Sequence, residues 1–198
     1  MLAIFLDIET TGLDPQVHRT VDLAFRVVDL NTYEIIESYQ SIVKQPYEEW
    51  LNHDPVSLKI NGYTWDMINQ GLPPETVKEQ VIEIFSDLKI VRGNSVFICQ
   101  NPAFDRVFLT QLIPIPKQEE LKWPYHWLDL ASMYWALLLK QCNTEQKAFP
   151  SNMTLSKNEI AERFGIPPES SPHKAMNGVD HLMACYEAVL NVKFQSKP

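Results

Sequence analysis

The first ten residues join an apolar run to two carboxylates. Residues 2–8, with the sequence Leu-Ala-Ile-Phe-Leu-Asp-Ile, predict a buried β-strand, and Asp7 and Glu9 lie two positions apart at its C-terminal end. Side chains alternate between the two faces of a strand, so these carboxylates would project side by side. Adjacent like charges are costly at a buried strand end unless a cation neutralises them, and carboxylate oxygens suit Mg²⁺ or Mn²⁺.

The composition is that of an ordinary globular chain, and we predict a single domain over residues 1–198. The net charge of −8 argues against a broad electrostatic interface with duplex nucleic acid, which requires a basic face. No apolar run reaches the roughly 18 residues of a membrane span, and the first residues show no signal-peptide pattern. The three scattered cysteines fit reduced thiols, so we predict a cytoplasmic protein without a membrane partner.

The pattern along the chain predicts an α/β fold, with a mixed sheet flanked by helices. Further strands are predicted at 21–30, 33–43, 95–99 and 126–130, the first two of them forming a hairpin. Helices are predicted at 75–88, from 101–102 onward, at 131–140, at 155–164 and at 179–192. Residues 45–73 are predicted to be rich in loops. Asn101 has the position of a helix N-cap, with Pro102 at the first helical position.

Three further segments complete a pattern with the opening Asp-Ile-Glu-Thr-Thr-Gly-Leu of residues 7–13. They are Asn-Pro-Ala-Phe-Asp at 101–105, Pro-His-Lys-Ala at 172–175, and Asp180. Together these motifs resemble the DEDD superfamily of 3′–5′ exonucleases. The closer resemblance is to its histidine-bearing, DnaQ-like branch, which includes polymerase III proofreading subunits, ribonuclease T and oligoribonuclease.

The resemblance implies a ribonuclease H-like fold, a central mixed sheet with helices on both sides, and a two-metal-ion site. Four carboxylates would bind two divalent cations, Mg²⁺ or Mn²⁺: Asp7, Glu9, Asp105 and Asp180. His173 would be the general base, since an imidazole titrates near neutral pH and can accept a proton from water. Two such ions would activate the water and stabilise the leaving oxygen of a phosphodiester.

The spacing of the third motif differs from that of the family. Four residues separate the histidine from the aspartate in the family, whereas six separate His173 from Asp180. We interpret the difference as a two-residue insertion around the turn-prone Asn177-Gly178, ahead of the last helix. Met176 stands where the tyrosine branch would have its tyrosine, which favours the histidine branch.

The resemblance also implies residues that contact the substrate. The turn after the first strand would meet the terminal nucleotide, and the segment around Ile60 would close over its base. The predicted substrate-binding residues are Ile8, Thr10, Thr11, Gly12, Leu13, Ile60, Asn101 and Phe104.

The predicted function is hydrolysis of single-stranded nucleic acid from its 3′ end, with release of nucleoside 5′-monophosphates. The sequence leaves open whether the substrate is DNA, RNA or both. Its partners would be 3′ ends of single strands, with a DNA polymerase or a second copy of the chain as further candidates. The alternative is a catalytically impaired relative that serves as a nucleic-acid-binding or scaffold protein.

Overall fold

The computed structural model describes residues 1–196, and a six-stranded mixed sheet organises them. The strands are β1 (Leu2–Thr10), β2 (Thr20–Asp29), β3 (Glu34–Ile42), β4 (Ser95–Cys99), β5 (Trp127–Asp129) and β6 (Gln195–Ser196). They lie in the order β5-β4-β1-β2-β3-β6. The β1–β2 and β2–β3 pairs are antiparallel and the others are parallel. The predicted mixed sheet and its hairpin are therefore confirmed, whereas β6 is a strand that the sequence pattern does not predict.

β1 is apolar on both faces because both faces of the sheet are covered. Ile4 and Leu6 face a core built with α4 and α5, two helices that span Pro74–Asp87 and Pro102–Leu112. Ala3 and Phe5 face the opposite core. Asp7 follows these two residues with a spacing of two, so its carboxylate projects on their side of the sheet.

That second side, which we call the α9 face, is covered by the last three helices. α9 (Ala175–Leu190) packs there against β1 and β2, and α7 (Leu130–Thr144) and α8 (Lys157–Arg163) pack against α9 and share its apolar core. The helices flanking the sheet on both sides confirm the predicted α/β architecture.

α9 begins four residues before its predicted start at Val179. Its first amide, of Ala175, donates to Asp22 Oδ2 at 3.0 Å, and the hydroxyl of Tyr63 donates to the same oxygen at 2.5 Å. Asp22 belongs to β2, so a residue more than 150 positions away satisfies this helix terminus. Because Asp22 is distant in sequence, the residues next to the start of α9 carry no capping signal for this arrangement.

The stretch at 45–73 is not the loop-rich region that its composition predicts. It forms α1 (Tyr47–Trp50), α2 (Pro55–Asn61) and α3 (Trp65–Asn69), and another short helix, α6 (Ile115–Glu120), lies after α5. Trp50, Tyr63 and Ile68 form a small buried cluster with Val21 of β2. Burial against the sheet stabilises helices that are too short to form alone.

Two general features accompany this fold. Among residues 1–196, no helix has both the length and the apolarity needed to cross a bilayer. In the same part of the chain all three cysteines are unpaired and buried.

Candidate active site

Asp7 and Glu9 lie at the C-terminal end of β1, where the strand opens into a cleft of about 290 Å³. Both carboxylates project toward the α9 face, as the alternation of strand side chains predicts. The cleft is lined by Asp7, Ile8, Glu9, Gln100, Phe104, Asp105, Ser156, Lys157, Asn158, Glu169 and His173. The cleft therefore brings together His173 and five other predicted site residues, namely Asp7, Ile8, Glu9, Phe104 and Asp105.

Asp105 enters the cleft from the first turn of α5 and is only 4% exposed. Its Oδ1 accepts a hydrogen bond from the amide of Ile8 at 3.1 Å, which fixes the carboxylate beside the β1 carboxylates. Within residues 1–196, the side chain of Asn101 makes no capping bond, contrary to the expectation from its position. Asn101 instead adopts a left-handed conformation with φ of 57°, and its backbone amide donates to Asp129 Oδ1 at 3.0 Å.

Gly178 faces Asp7 where α9 passes the end of β1. A β-carbon built on Gly178 would collide with Asp7 Oδ2. α9 is a continuous helix from Ala175, so Asn177 and Gly178 lie in its first turn and the predicted loop insertion before the helix is wrong. In the family, four residues separate the histidine from the aspartate. Four residues also separate His173 from Gly178, so a glycine stands here where the family has its aspartate.

Asp180 lies outside this group of carboxylates, which corrects its assignment as the fourth metal ligand. Each helical residue rotates by about 100°, so Asp180 projects roughly 200° away from Gly178. Its side chain is 51% exposed, and its Oδ1 accepts a hydrogen bond from Arg26 Nε at 2.7 Å. The aspartate is one partner of a surface ion pair.

Lys157, at the start of α8, places an ammonium group among the carboxylates. Its Nζ lies 3.3 Å from Asp7 Oδ1, 3.2 Å from the carbonyl oxygen of Gly178 and 2.8 Å from Glu169 Oε2. This lysine neutralises part of the negative charge beside Gly178.

Glu169 and His173 approach the cleft from the segment between α8 and α9. The side chain of Glu169 is 4% exposed, and within residues 1–196 its Oε1 has no hydrogen-bond partner. His173 Nδ1 lies 3.6 Å from that oxygen, which is too long for a hydrogen bond. One ligand atom from each of Glu9, Glu169 and His173 lies within 4.8 Å of the other two.

The carboxylates hold their protons more tightly than usual. Burial raises the pKa of Asp7 to about 6, with Lys157 opposing the shift and Glu169 adding to it. Burial, together with repulsion by Asp7 and Glu169, raises the pKa of Glu9 to about 8. Burial and the charge of Asp7 also raise the pKa of Asp105. Burial opposes the charge on Lys157, but its attraction to the carboxylates is stronger and raises the pKa of the ammonium group.

This donor set fits a divalent cation. Three carboxylates of β1 and α5 share a cleft with Glu169, against the single ammonium of Lys157. Burial, with repulsion between the carboxylates, raises the pKa of Asp7, Glu9 and Asp105, so their charged forms are unfavourable without a compensating cation. A hard cation with oxygen ligands would relieve this repulsion, and the unpartnered Oε1 of Glu169 offers a further donor.

The predicted substrate-contacting turn is held in a defined shape. The carbonyl of Thr10 accepts from Asn61 Nδ2 at 2.9 Å, and that of Thr11 accepts from the amide of Asp54 at 2.7 Å. A β-carbon on Gly12 would meet the imidazole of His18, so a larger residue here would have to displace that ring. Leu13 follows with its side chain 74% exposed.

Ile60 lies across from this turn, at the C-terminal end of α2, and its side chain is also exposed. Its carbonyl accepts a hydrogen bond from the amide of His173 at 3.0 Å, and the carbonyl of Asn61 accepts from Lys174 Nζ at 2.8 Å. α2 therefore connects the turn after β1 with the segment that carries His173.

Sequence reasoning missed Lys157, Glu169 and Gly178. The spacing of four residues after His173 was a usable signal for Gly178, because it points to that glycine directly. Lys157 and Glu169 carry no such signal, since charged residues at a helix start and in a loop are ordinarily solvated.

Comparisons with known proteins match most of the chain. A model of the RNase_T exonuclease family matches residues 4–186. The PolC-type DNA polymerase III of Thermotoga petrophila is 26% identical over 165 residues, which are 83% of this chain and 10% of the polymerase. The oligoribonuclease of Vibrio campbellii is 27% identical over 133 residues, 66% of this chain and 71% of that protein.

Solved structures share the fold. Exonuclease I of E. coli, in complex with a 5cy-dT13 oligonucleotide, superposes with a TM-score of 0.73 at 18% identity. The superposition covers 96% of this chain and 40% of exonuclease I, so this chain spans less than half the length of that enzyme. The likeness confirms the predicted ribonuclease H-like α/β fold.

Proposed function

The chain belongs to the RNase_T exonuclease family, and from that premise we propose that it is a metal-dependent 3′–5′ exonuclease of single-stranded nucleic acid. The products would be nucleoside 5′-monophosphates. The observation that carries the proposal is the convergence of Asp7, Glu9 and Asp105 with His173 in one cleft. Oligoribonuclease and ribonuclease T among the relatives, and the oligonucleotide in the exonuclease I structure, support this substrate class.

Asp7, Glu9 and Asp105 would hold Mg²⁺ or Mn²⁺. Such a cation, when bound, stabilises charge on phosphoryl oxygens and makes water more acidic. Position 178 is a glycine, so α9 adds no carboxylate beside Asp7 for a second cation. The number of ions therefore depends on whether another carboxylate takes part.

His173 would accept the proton of the attacking water. Its Nδ1 faces Glu169 Oε1 at 3.6 Å, so we propose that Nε2 is the nitrogen that accepts the proton of the water. Leu13 and Ile60 are exposed and would pack against the terminal nucleotides. Phe104, on the wall of the cleft, offers an aromatic surface for a base. Apolar and stacking contacts of this kind are tolerant of base identity, which suits an enzyme that trims strands of varied sequence.

A digestion assay tests the proposal. A 5′-labelled oligonucleotide should shorten stepwise from its 3′ end with Mn²⁺ or Mg²⁺, and EDTA should stop the reaction. Asp7→Asn should abolish the products, whereas Asp87→Asn, an exposed change at the end of α4, should leave them unchanged. Equal digestion by the Asp7 variant would refute the proposal, and matched DNA and RNA substrates would establish the sugar preference.

A second function is favoured by a specific observation. Gly178 leaves Asp7 without a neighbouring carboxylate on α9, and Lys157 already contacts Asp7. These features suit a catalytically impaired relative that binds nucleic acid or acts as a scaffold. Binding of a labelled oligonucleotide without any cation-dependent product would identify that function.

Partners and location are further parts of the proposal. The PolC-type relative is itself a polymerase, which makes a DNA polymerase a reasonable partner, and a second copy of the chain is the other candidate. The three unpaired cysteines among the described residues support a cytoplasmic location. Size-exclusion chromatography with light scattering, alone and with a polymerase, would measure both associations.

A further inference from the structure

Glu169 is the least explained charged side chain of the cleft. It lies in the segment that joins α8 to α9, and its side chain is 96% buried, the complement of its 4% exposure. Its two oxygens differ. Oε2 accepts from Lys157 Nζ at 2.8 Å, whereas Oε1 has no hydrogen-bond partner within residues 1–196.

A buried carboxylate oxygen without a partner is unfavourable, because it has lost its hydration without replacing it. Lys157 cannot serve both oxygens, since it is already shared with Asp7 and the carbonyl of Gly178. His173 Nδ1 lies 3.6 Å from Oε1, beyond hydrogen-bond distance. The free lone pairs of Oε1 therefore indicate a further positive group that belongs in the cleft.

The surroundings of Oε1 suit a metal ion. Ligand atoms of Glu9, Glu169 and His173 lie within 4.8 Å of one another. Two ligands of one Mg²⁺ or Mn²⁺ ion, each about 2.1 Å from it, are at most about 4.2 Å apart. The bound of 4.8 Å is close to this span, so Glu9 and Glu169 are near enough for a small movement to bring them to one ion.

We propose that Glu169 ligates a divalent cation together with Glu9 and so provides the carboxylate that Gly178 cannot. The proposal rests on the metal-dependent function proposed above and deepens it. The fourth carboxylate of the cleft then comes from the loop before α9 and not from α9 itself. Lys157 contacts the other oxygen of Glu169 and leaves Oε1 for the ion.

Mn²⁺ binding to the full chain, measured by titration calorimetry and by electron paramagnetic resonance, tests this assignment without an activity assay. Glu169→Gln keeps the side-chain shape and an oxygen for Lys157, yet removes the charge. We expect its Mn²⁺ affinity to fall at least about tenfold, the scale on which metal sites respond to altered ligation. Glu162→Gln, an exposed change of the same type on α8, should bind like the unmodified protein.

An affinity of Glu169→Gln within twofold of the unmodified protein would overturn the assignment. If Glu169→Gln does not fold, Glu169→Asp provides the test, because it retains the charge beside Lys157 but withdraws the carboxylate by one methylene. It should also bind Mn²⁺ more weakly, and unchanged binding would again overturn the assignment. Circular dichroism would verify that each variant is folded.

The assignment and the proposed function can fail separately. Digestion by the unmodified protein, combined with equal Mn²⁺ binding by Glu169→Gln, would refute the role of Glu169 alone. Mn²⁺ binding that depends on Glu169, without digestion of any oligonucleotide, would support that role and refute the exonuclease. Absence of Mn²⁺ binding to the unmodified protein would refute both.

Discussion

Lys157 Nζ lies 3.3 Å from Asp7 Oδ1, so an ammonium group stands beside the first carboxylate of the proposed cation site. Both side chains are largely buried, which makes their attraction stronger than that of a surface pair. The lysine therefore stabilises the cation-free protein and at the same time competes with a divalent ion for the same negative charge.

The substitution Lys157→Met should separate these two effects. Loss of one partner from a buried ion pair costs about 3–5 kcal/mol, so urea unfolding in EDTA should show a large destabilisation. Mn²⁺ affinity at pH 8.5 should rise several-fold, since a competing charge is gone. Lys140→Met, exposed on α7, should change neither quantity. Weaker Mn²⁺ binding by a folded Lys157→Met would contradict the competition.

Asp180→Asn should behave as a surface change. The aspartate pairs with Arg26 at the surface, and exposed pairs contribute about 0–1 kcal/mol. Mn²⁺ affinity should stay within twofold, whereas Asp7→Asn, titrated in parallel, should lose at least about tenfold. A comparable loss of Mn²⁺ affinity in both variants would show that Asp180 does bind the cation.

Gly178→Ala should destabilise the protein, although alanine favours a helix over glycine by about 1 kcal/mol. The new β-carbon would meet Asp7 Oδ2, and Asp7 would have to move away from Lys157. Overpacking of this kind costs about 1–3 kcal/mol, so we expect the clash to exceed the gain in helix propensity. Urea unfolding measures the net effect. Asn177→Ala, an exposed change in the same helical turn, serves as the control. A stabilised Gly178→Ala would mean that the cleft has free space at this point.

Stability without divalent cations should fall as pH rises from 7 to 8.5. The pKa of Glu9 is raised from 4.5 to about 8, so the folded protein keeps a proton that the unfolded chain has released. Stability from this proton is fully present below the unfolded pKa and is lost as pH rises through about 8. The loss should be about 1 kcal/mol over this range.

This interval avoids the titration of His181, whose pKa is lowered by burial. Urea unfolding in EDTA measures the slope, and Glu9→Gln should flatten it. Saturating Mn²⁺ should also reduce the slope, since the ion replaces the proton. A stability that rises between pH 7 and 8.5 in EDTA would be inconsistent with a protonated Glu9.

The elements defined by local periodicity were predictable from the sequence. β1, the β2–β3 hairpin, α4 and α5 each carry a regular apolar pattern, and the structure contains them with shifts of one or two residues at their ends. The start of α9 was not predictable in this way, because the residue that satisfies its first amide, Asp22, lies on a distant strand. The short helices α1 to α3 depend likewise on packing against the sheet.

The residues of the candidate site also differ in whether a local sequence pattern determines their position. Asp7, Glu9 and Asp105 were predictable because strand alternation and the first turn of a helix determine where their side chains project. Asp180 was misassigned because a two-residue insertion was assumed so that an aspartate could complete the motif, whereas α9 is continuous and places Gly178 against Asp7. Glu169 reaches the cleft through the course of a loop, which sequence spacing does not determine.

α2 makes the two sides of the cleft mechanically dependent on each other. One end of this helix holds the turn after β1 through Asn61 and the carbonyl of Thr10, and the same end holds the backbone of His173 through the carbonyl of Ile60. In the proposed exonuclease, a terminal base that displaces Ile60 would also displace the proton acceptor. The seating of the last nucleotide and the position of the proton acceptor would therefore depend on the same end of α2.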